Sequence, residues 1–217
     1  MMKKLFFTVF FTSVIAFSSV ANDVQMNQSQ NIEKERQETP KQEKIVVAKG
    51  GQFTGEAKDN DVYRNGLAAY IQTVNQNITK KEANVIVDSV IKSAEKYDVD
   101  EKLVMAIAQT ESTYYRDAVS CSNYKGLMQT GDILAEEAGY TPQQLFEPAV
   151  SIDVGTSYID EKLEEFGDTR LALTAYNQGA GTVYSGNYST EYADLALARM
   201  LAMEHFLVEN GYINVYN

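Results

Sequence analysis

The stretch Leu103–Gln129, LVMAIAQTESTYYRDAVSCSNYKGLMQ, decides how the chain is read. Leu103, Ile107 and Glu111 recur every four residues, the spacing that puts side chains on one face of a helix. Two of them are aliphatic and the third is a carboxylic acid. A carboxyl at the end of an apolar stripe is expected to be partly desolvated, which raises its pKa and prepares it to act as a general acid near neutral pH. A surface glutamate at a frayed helix end has the same spacing, so residues outside the helix must decide between the two readings.

Working outward, residues 112–125 lack a clean period and read as a loop rich in Ser, Asn, Asp and Tyr. On the N-terminal side, Asp98-Val99-Asp100 breaks the pattern, and either Asp can cap the helix that runs to about Glu111. Before it, Thr79-Lys80-Lys81-Glu82 forms a capping box ahead of a stripe of Ile86, Val90, Ala94 and Tyr97. An earlier helix carries Val62, Leu67, Tyr70 and Ile71 and ends near Asn75. On the C-terminal side, a short helix is expected over Asp132–Glu137, closed by Gly139. A single turn follows at Thr141-Pro142. A longer helix, capped by Ser151 or Asp153, turns Tyr158, Ile159, Leu163 and Phe166 inward and ends at Gly167. Leu171–Tyr176 is short and apolar. The segment from about Tyr192 to Val208 is apolar on most sides, as expected of a central buried helix. No strong period-two run interrupts these. The fold class is therefore all-α, about eight short to medium helices around one core.

The N-terminus has a different composition. Met1-Met2-Lys3-Lys4 precedes the apolar run LFFTVFFTSVIAFSSV and then Ala21, the layout of a signal peptide cleaved after Ala21. The run is shorter than the roughly 20 apolar residues of a membrane-spanning helix. No Cys stands near the cleavage point, so no lipid anchor is expected on the mature chain. Residues 22–60 are rich in Gln, Asn, Glu and Lys and read as a disordered tether, with Ile45-Val46-Val47 a short apolar exception. The expected organisation is a signal peptide over 1–21, a tether over 22–60 and a helical domain over 61–217, in a periplasmic or secreted protein.

Without residues 1–21 the chain holds 17 basic and 30 acidic side chains, a formal charge of −13. Such a charge does not draw a protein to nucleic acid or to anionic membranes. Cys121 is the one cysteine and His205 the one histidine, so no intrachain disulfide can form and no His/Cys cluster is available for zinc or copper. No cofactor is expected. His205 is also the one possible base for a serine nucleophile, and Ser112 has no nucleophile-elbow motif around it.

Three pieces stand in order along the chain: Glu111-Ser112-Thr113-Tyr114, Gly126-Leu127-Met128-Gln129, and Ala175-Tyr176-Asn177-Gln178-Gly179. Together, over roughly residues 78–205, they resemble the lytic transglycosylases with a goose-type-lysozyme-like catalytic domain. The resemblance implies a lysozyme-like domain with a cleft. It implies that Glu111 is the catalytic acid/base, with Ser112, Tyr114, Gly126, Leu127, Met128, Gln129, Tyr176 and Asn177 around the substrate. Tyr176 would lie opposite Glu111, and Tyr114, Tyr115, Tyr124, Tyr176 and Tyr192 are available to stack on sugars. It implies cleavage of the β-1,4 bond between N-acetylmuramic acid and N-acetylglucosamine, without water, to leave 1,6-anhydromuramic acid ends. The expected partner is the peptidoglycan glycan strand, with a secretion or division machine as a further partner and a monomer as the working state. The alternatives are a muramidase acting on the same bond, for which Asp117, Asp132 and Glu147 are nearby acids, and a non-catalytic glycan-binding or assembly protein.

The chain also departs from the family pattern. Thr130-Gly131-Asp132-Ile133 follows Gln129, where an apolar residue and a pair such as Met-Pro are common. Tyr115-Arg116-Asp117 stands where Asn-Pro often follows the first piece. The family's Glu-Thr-x-x-Tyr piece appears only as Tyr188-Ser189-Thr190-Glu191-Tyr192, which makes Glu191 a cleft residue by displacement.

Overall fold

Asp100 begins the helix that the domain is built around. Its carboxylate accepts the Lys102 backbone N–H at 2.8 Å, capping a helix over Glu101–Ser112. In the computed structural model, which describes residues 61–213, every residue from Glu101 to Ala108 on this helix is buried. The described residues form eight α-helices: α1 (Asp61–Val74), α2 (Lys80–Tyr97), α3 (Glu101–Ser112), α4 (Asp132–Glu137), α5 (Pro148–Phe166), α6 (Thr169–Gln178), α7 (Ala180–Ser185) and α8 (Glu191–Glu209). A 3₁₀ turn covers Pro142–Phe146 between α4 and α5. No strand occurs among the described residues, where two isolated bridges, Val119 with Lys125 and Lys125 with Thr130, are the extent of β pairing. The all-α expectation holds. The signal peptide and the tether lie outside the described residues.

The core has one large cluster. Leu67 and Ile71 of α1, Ile86 and Val90 of α2, Leu103 and Ile107 of α3, Ile152 and Ile159 of α5, Leu173 of α6 and Met203 and Leu207 of α8 all belong to it. Burying this much branched aliphatic surface is the main favourable term, at roughly 25 cal/mol per Å² of apolar area. A smaller cluster of Ala135, Leu145, Val150 and Val154 seats α4 and the 3₁₀ turn on α5.

Three sequence expectations shift. α5 begins at Pro148, ahead of Ser151 and Asp153, because proline is preorganised for the first helical turn and needs no N–H partner there. Asp153 instead accepts Lys96 Nζ at 2.8 Å. α8 is not the central helix: Leu195, Leu201 and Val208 are exposed, while Ala193, Ala196, Met200, Met203 and Leu207 face the core. The central position belongs to α3. The short apolar segment Leu171–Tyr176 is the middle of α6, capped by Asp168 through the Leu171 N–H at 2.9 Å. After it the chain makes the additional helix α7.

Burying α3 at its polar N-terminus requires partners. Glu101 accepts the Tyr63 hydroxyl at 2.8 Å, and Lys102 Nζ donates to Glu204 at 2.5 Å. Burial opposes the charge on Lys102, and Asp100 and Glu204 outweigh it, so the net shift of its pKa is upward.

The capping box of α2 is fully formed. The Glu82 N–H reaches Thr79 Oγ1 at 3.3 Å, and the Thr79 N–H reaches Glu82 Oε2 at 2.9 Å. Thr79→Ala is expected to cost about 1 kcal/mol, seen as a lower urea midpoint at unchanged slope.

Candidate active site

α3 is buried on all sides until Ala108 and then emerges, and Glu111 sits on that emerging turn, half-buried. The helix ends abruptly. Thr113 and Tyr114 both adopt left-handed backbone conformations, φ 53° and 61°, and the Thr113 N–H is held by the Ala108 and Gln109 carbonyls. Ser112 fastens this end to the next motif: its hydroxyl lies 3.0 Å from the Ala108 carbonyl and 2.9 Å from the Leu127 carbonyl.

The Gly126–Gln129 segment is a tight turn against α5. Gly126 has φ 75°, and a Cβ there would overlap the Leu145 carbonyl oxygen. Only glycine meets both conditions without strain. Ser151 Oγ of α5 accepts the Met128 N–H at 3.1 Å, and Met128 packs over Gly155, where a Cβ would meet its side chain at 2.5 Å. Gln129 turns its amide nitrogen onto the Ala118 and Gly126 carbonyls, at 3.0 and 2.9 Å. Both partners are acceptors, so the amide oxygen is what Gln129 has left to offer the cavity. Lys125 and Asp132 form an ion pair across the turn.

These elements enclose a cavity of about 320 Å³ lined by Glu111, Ser120, Tyr124, Gln129, Thr130, Leu134, Tyr158, Tyr176, Asn177, Gln178 and Gly179. Glu111 is the one carboxylate in that lining. Asp132 is paired with Lys125, Asp117 lies beside Arg116 at 3.7 Å, and Glu147 is exposed outside the cavity wall. Among the described residues no group of three His, Cys, Asp or Glu side chains stands together to hold a metal.

Burial raises the Glu111 pKa, and a hydrogen bond from the Tyr192 hydroxyl at 2.6 Å pulls it back in part; the net shift is upward. Tyr192, at the start of α8, is 81 residues from Glu111. The Tyr176 hydroxyl, the one placed opposite Glu111 by motif order, donates instead to the Met128 carbonyl at 2.8 Å. Its ring packs on Tyr158 at 5.2 Å between centroids. Tyr176 therefore braces the Gly126–Gln129 turn, and Tyr192 touches the acid.

Of the residues singled out from sequence, the structure brings Glu111, Tyr124, Gln129, Tyr176 and Asn177 to one cavity. Ser112 and Gly126 shape its base from behind. Tyr114, Leu127 and Met128 are buried in the core, with at most 1% of their surface exposed, so their side chains do not reach a ligand as they stand. Glu191 is exposed and outside the lining; the next residue, Tyr192, is the one that reaches Glu111. Ser120, Thr130, Leu134, Tyr158 and Gln178 line the cavity without a sequence signal of their own.

The site is thus one desolvated carboxyl at the end of the central helix of an all-α domain, over a cleft walled by tyrosines and amides. Residues 88–194 match the family described as Transglycosylase SLT domain. The membrane-bound lytic murein transglycosylase C of Shigella sonnei is 37% identical over 139 residues, covering 55% of this chain and 39% of its own length. The protein of the same name from Edwardsiella ictaluri is 37% identical over 130 residues, covering 52% and 36%. The chain thus spans well under half the length of these relatives. Among solved structures, the 70 kDa soluble lytic transglycosylase of Escherichia coli superposes with a TM-score of 0.51 at 23% identity, covering 67% of this chain and 30% of that one. An inactive mutant of the lytic transglycosylase Slt of Pseudomonas aeruginosa gives 0.50 at 23%, covering 55% and 24%. The shared fold is lysozyme-like.

A carboxyl whose folded pKa lies above its unfolded value supports the fold while protonated, and that contribution is lost as pH rises through the folded pKa. Glu111→Gln, a neutral isostere, is expected to unfold at a higher temperature than the wild type at pH 7. The gap should close toward pH ~4, where ordinary carboxyls protonate, and calorimetry across that range checks it. Gly126→Ala should destabilise by about 3 kcal/mol through overlap and backbone strain, read by urea unfolding.

Proposed function

We propose that the protein is an exported peptidoglycan lytic transglycosylase that cleaves the β-1,4 bond between N-acetylmuramic acid and N-acetylglucosamine without consuming water. The observation that carries this reading is the solitary carboxyl: Glu111 is half-buried, with its pKa raised, in a cavity whose other lining residues are neutral. Two-carboxylate glycosidases place their pair either about 5 to 5.5 Å or roughly 6.5 to 9.5 Å apart. A cavity with one carboxyl suits a reaction in which the same group acts twice.

In the first step protonated Glu111 gives its proton to the glycosidic oxygen while positive charge builds at the sugar ring. The substrate's own N-acetyl group supports that charge. In the second step the Glu111 carboxylate takes the proton of the C6 hydroxyl, whose oxygen closes the 1,6-anhydro ring. Tyr192 suits both steps, since its hydroxyl holds the carboxylate in place and stabilises the anion between them. Gln129 and Asn177 supply amide groups for the sugar's N-acetyl and hydroxyl groups, and Tyr124 and Tyr158 supply aromatic faces. Ser112 and Gly126 act through the shape of the turn.

The names of the relatives support this reading, and the signal-peptide-like composition of residues 1–21 supports a periplasmic or secreted location. Glycan strands are the proposed partner and a monomer the proposed state. Wall remodelling, alone or for a secretion or division machine, is the proposed role.

Digestion of purified glycan strands tests the chemistry. Mass spectrometry should find 1,6-anhydro ends, each one water lighter than a reducing end. Reducing ends would reassign the protein as a muramidase, and strands bound without soluble fragments would make it a glycan-binding protein. Glu111→Gln should lower turnover by about 10² to 10⁴-fold, the usual contribution of a general acid.

A further inference from the structure

The first turn of α8 is seated on the core by Ala193 and Tyr192, and the Glu191 N–H reaches Ser189 Oγ at 3.2 Å. Thr190, at its N-cap position, makes no side-chain cap to the helix backbone, and α8 is reached through the exposed segment that follows α7. Yet Tyr192 in this turn must keep its hydroxyl 2.6 Å from Glu111. Further fastening comes from α6, at two points. Gln178, its last residue, makes a reciprocal pair with the backbone of Ser189: its amide nitrogen donates to the Ser189 carbonyl at 2.6 Å, and its amide oxygen accepts the Ser189 N–H at 3.2 Å. Arg170, near the start of α6, pairs with Asp194 at 2.7 Å, and Asp194 also accepts the Thr190 hydroxyl at 3.0 Å. Tyr192 lies between the two fastened residues, Ser189 and Asp194.

We propose that Gln178 is a positioning residue, whose side-chain amide clasps Ser189 and so holds the Tyr192 hydroxyl on Glu111. Its paired donor and acceptor copy the two hydrogen bonds that an adjacent strand would make with Ser189, which fixes the register of the chain entering α8 as well as its distance. Gln178 stands in the Ala175–Gly179 piece, directly after Asn177. Its partner lies where this chain departs from the family, in Tyr188–Tyr192. The clasp thus belongs to this chain's own way of bringing a tyrosine to the acid. Gln178 also lines the cavity, so a direct sugar contact is the rival role. Both of its amide atoms are already committed to Ser189, which speaks for positioning.

The catalytic consequence rests on the proposed transglycosylase reading; the geometric one does not, and the first experiment needs no activity. The titration of the Glu111 side-chain carboxyl is followed by carbon NMR in the wild type, Tyr192→Phe, Gln178→Leu and the double variant. The Tyr192 hydrogen bond lowers the Glu111 pKa, so its loss raises it. Gln178→Leu should raise it in the same direction as Tyr192→Phe, and the double variant should go no further than Tyr192→Phe alone. On glycan strands, Gln178→Leu should lower kcat about tenfold, well within the range of coupling between residues in contact, while KM changes little. Arg170→Leu, which touches no cavity atom, should reproduce the effect in weaker form and guards against a fold defect peculiar to Gln178→Leu. An unmoved Glu111 titration in Gln178→Leu would overturn the proposal. So would shifts that add in the double variant, or a rise in KM with kcat and pH profile unchanged, which would make Gln178 a sugar contact. Wild-type protein that releases no fragments but shows the expected titrations would sink the function and leave the clasp standing.

Discussion

A helix buried on every side can hold a carboxyl at intermediate burial only where it comes out. α3 meets that constraint with Glu111, one turn beyond the last fully buried residue, Ala108. A turn earlier, a carboxylate would need a partner of the kind that Tyr63 gives Glu101. A turn later, water would solvate it and its pKa would stay ordinary. The rest of the site follows from closing the helix at that point. Two left-handed residues, Thr113 and Tyr114, stop it; Ser112 ties the stop to Leu127; and the Gly126–Gln129 turn, held by α5, becomes the facing wall. The chemistry depends on where the burial of α3 ends.

Much of this could be read in the sequence because it is local. The four-residue spacing of Leu103, Ile107 and Glu111 and the capping box at Thr79 are each decided within a few residues, and they stand in the structure. Tyr192 was legible only as one of several tyrosines, because its bond to Glu111 spans 81 residues and depends on how α8 crosses α3. Gln178 carried no signal, since a glutamine that pairs with backbone leaves no residue pattern at its partner. α8 misled for a different reason: Leu195, Leu201 and Val208 make it apolar all round, and apolar composition alone does not say which face is covered. Leu127 and Met128 show the converse. They belong to a motif associated with a cleft, yet their side chains fill the core, and only their backbone atoms serve the site.

The two walls of the cavity are joined to the fold by different kinds of bond. The Gly126–Gln129 wall is locked by buried contacts: Met128 over Gly155, its N–H on Ser151, its carbonyl under Tyr176, and Gly126 against the Leu145 carbonyl. The wall formed by the end of α6 and the start of α8 also seats Tyr176, Ala193 and Ala196 in the core, but the two helices are joined to each other at the cleft by hydrogen bonds open to solvent, those of Gln178 with Ser189 and of Asp194 with Thr190 and Arg170. Segments held by few buried contacts open locally at a small fraction of the global unfolding free energy, whereas segments packed into the core open only with it. The clasp at Ser189 is therefore more open to water than the Gly126–Gln129 turn. Amide hydrogen exchange would distinguish the two walls through the N–H groups of Ser189 and Met128, the first bonded to Gln178 and the second to Ser151.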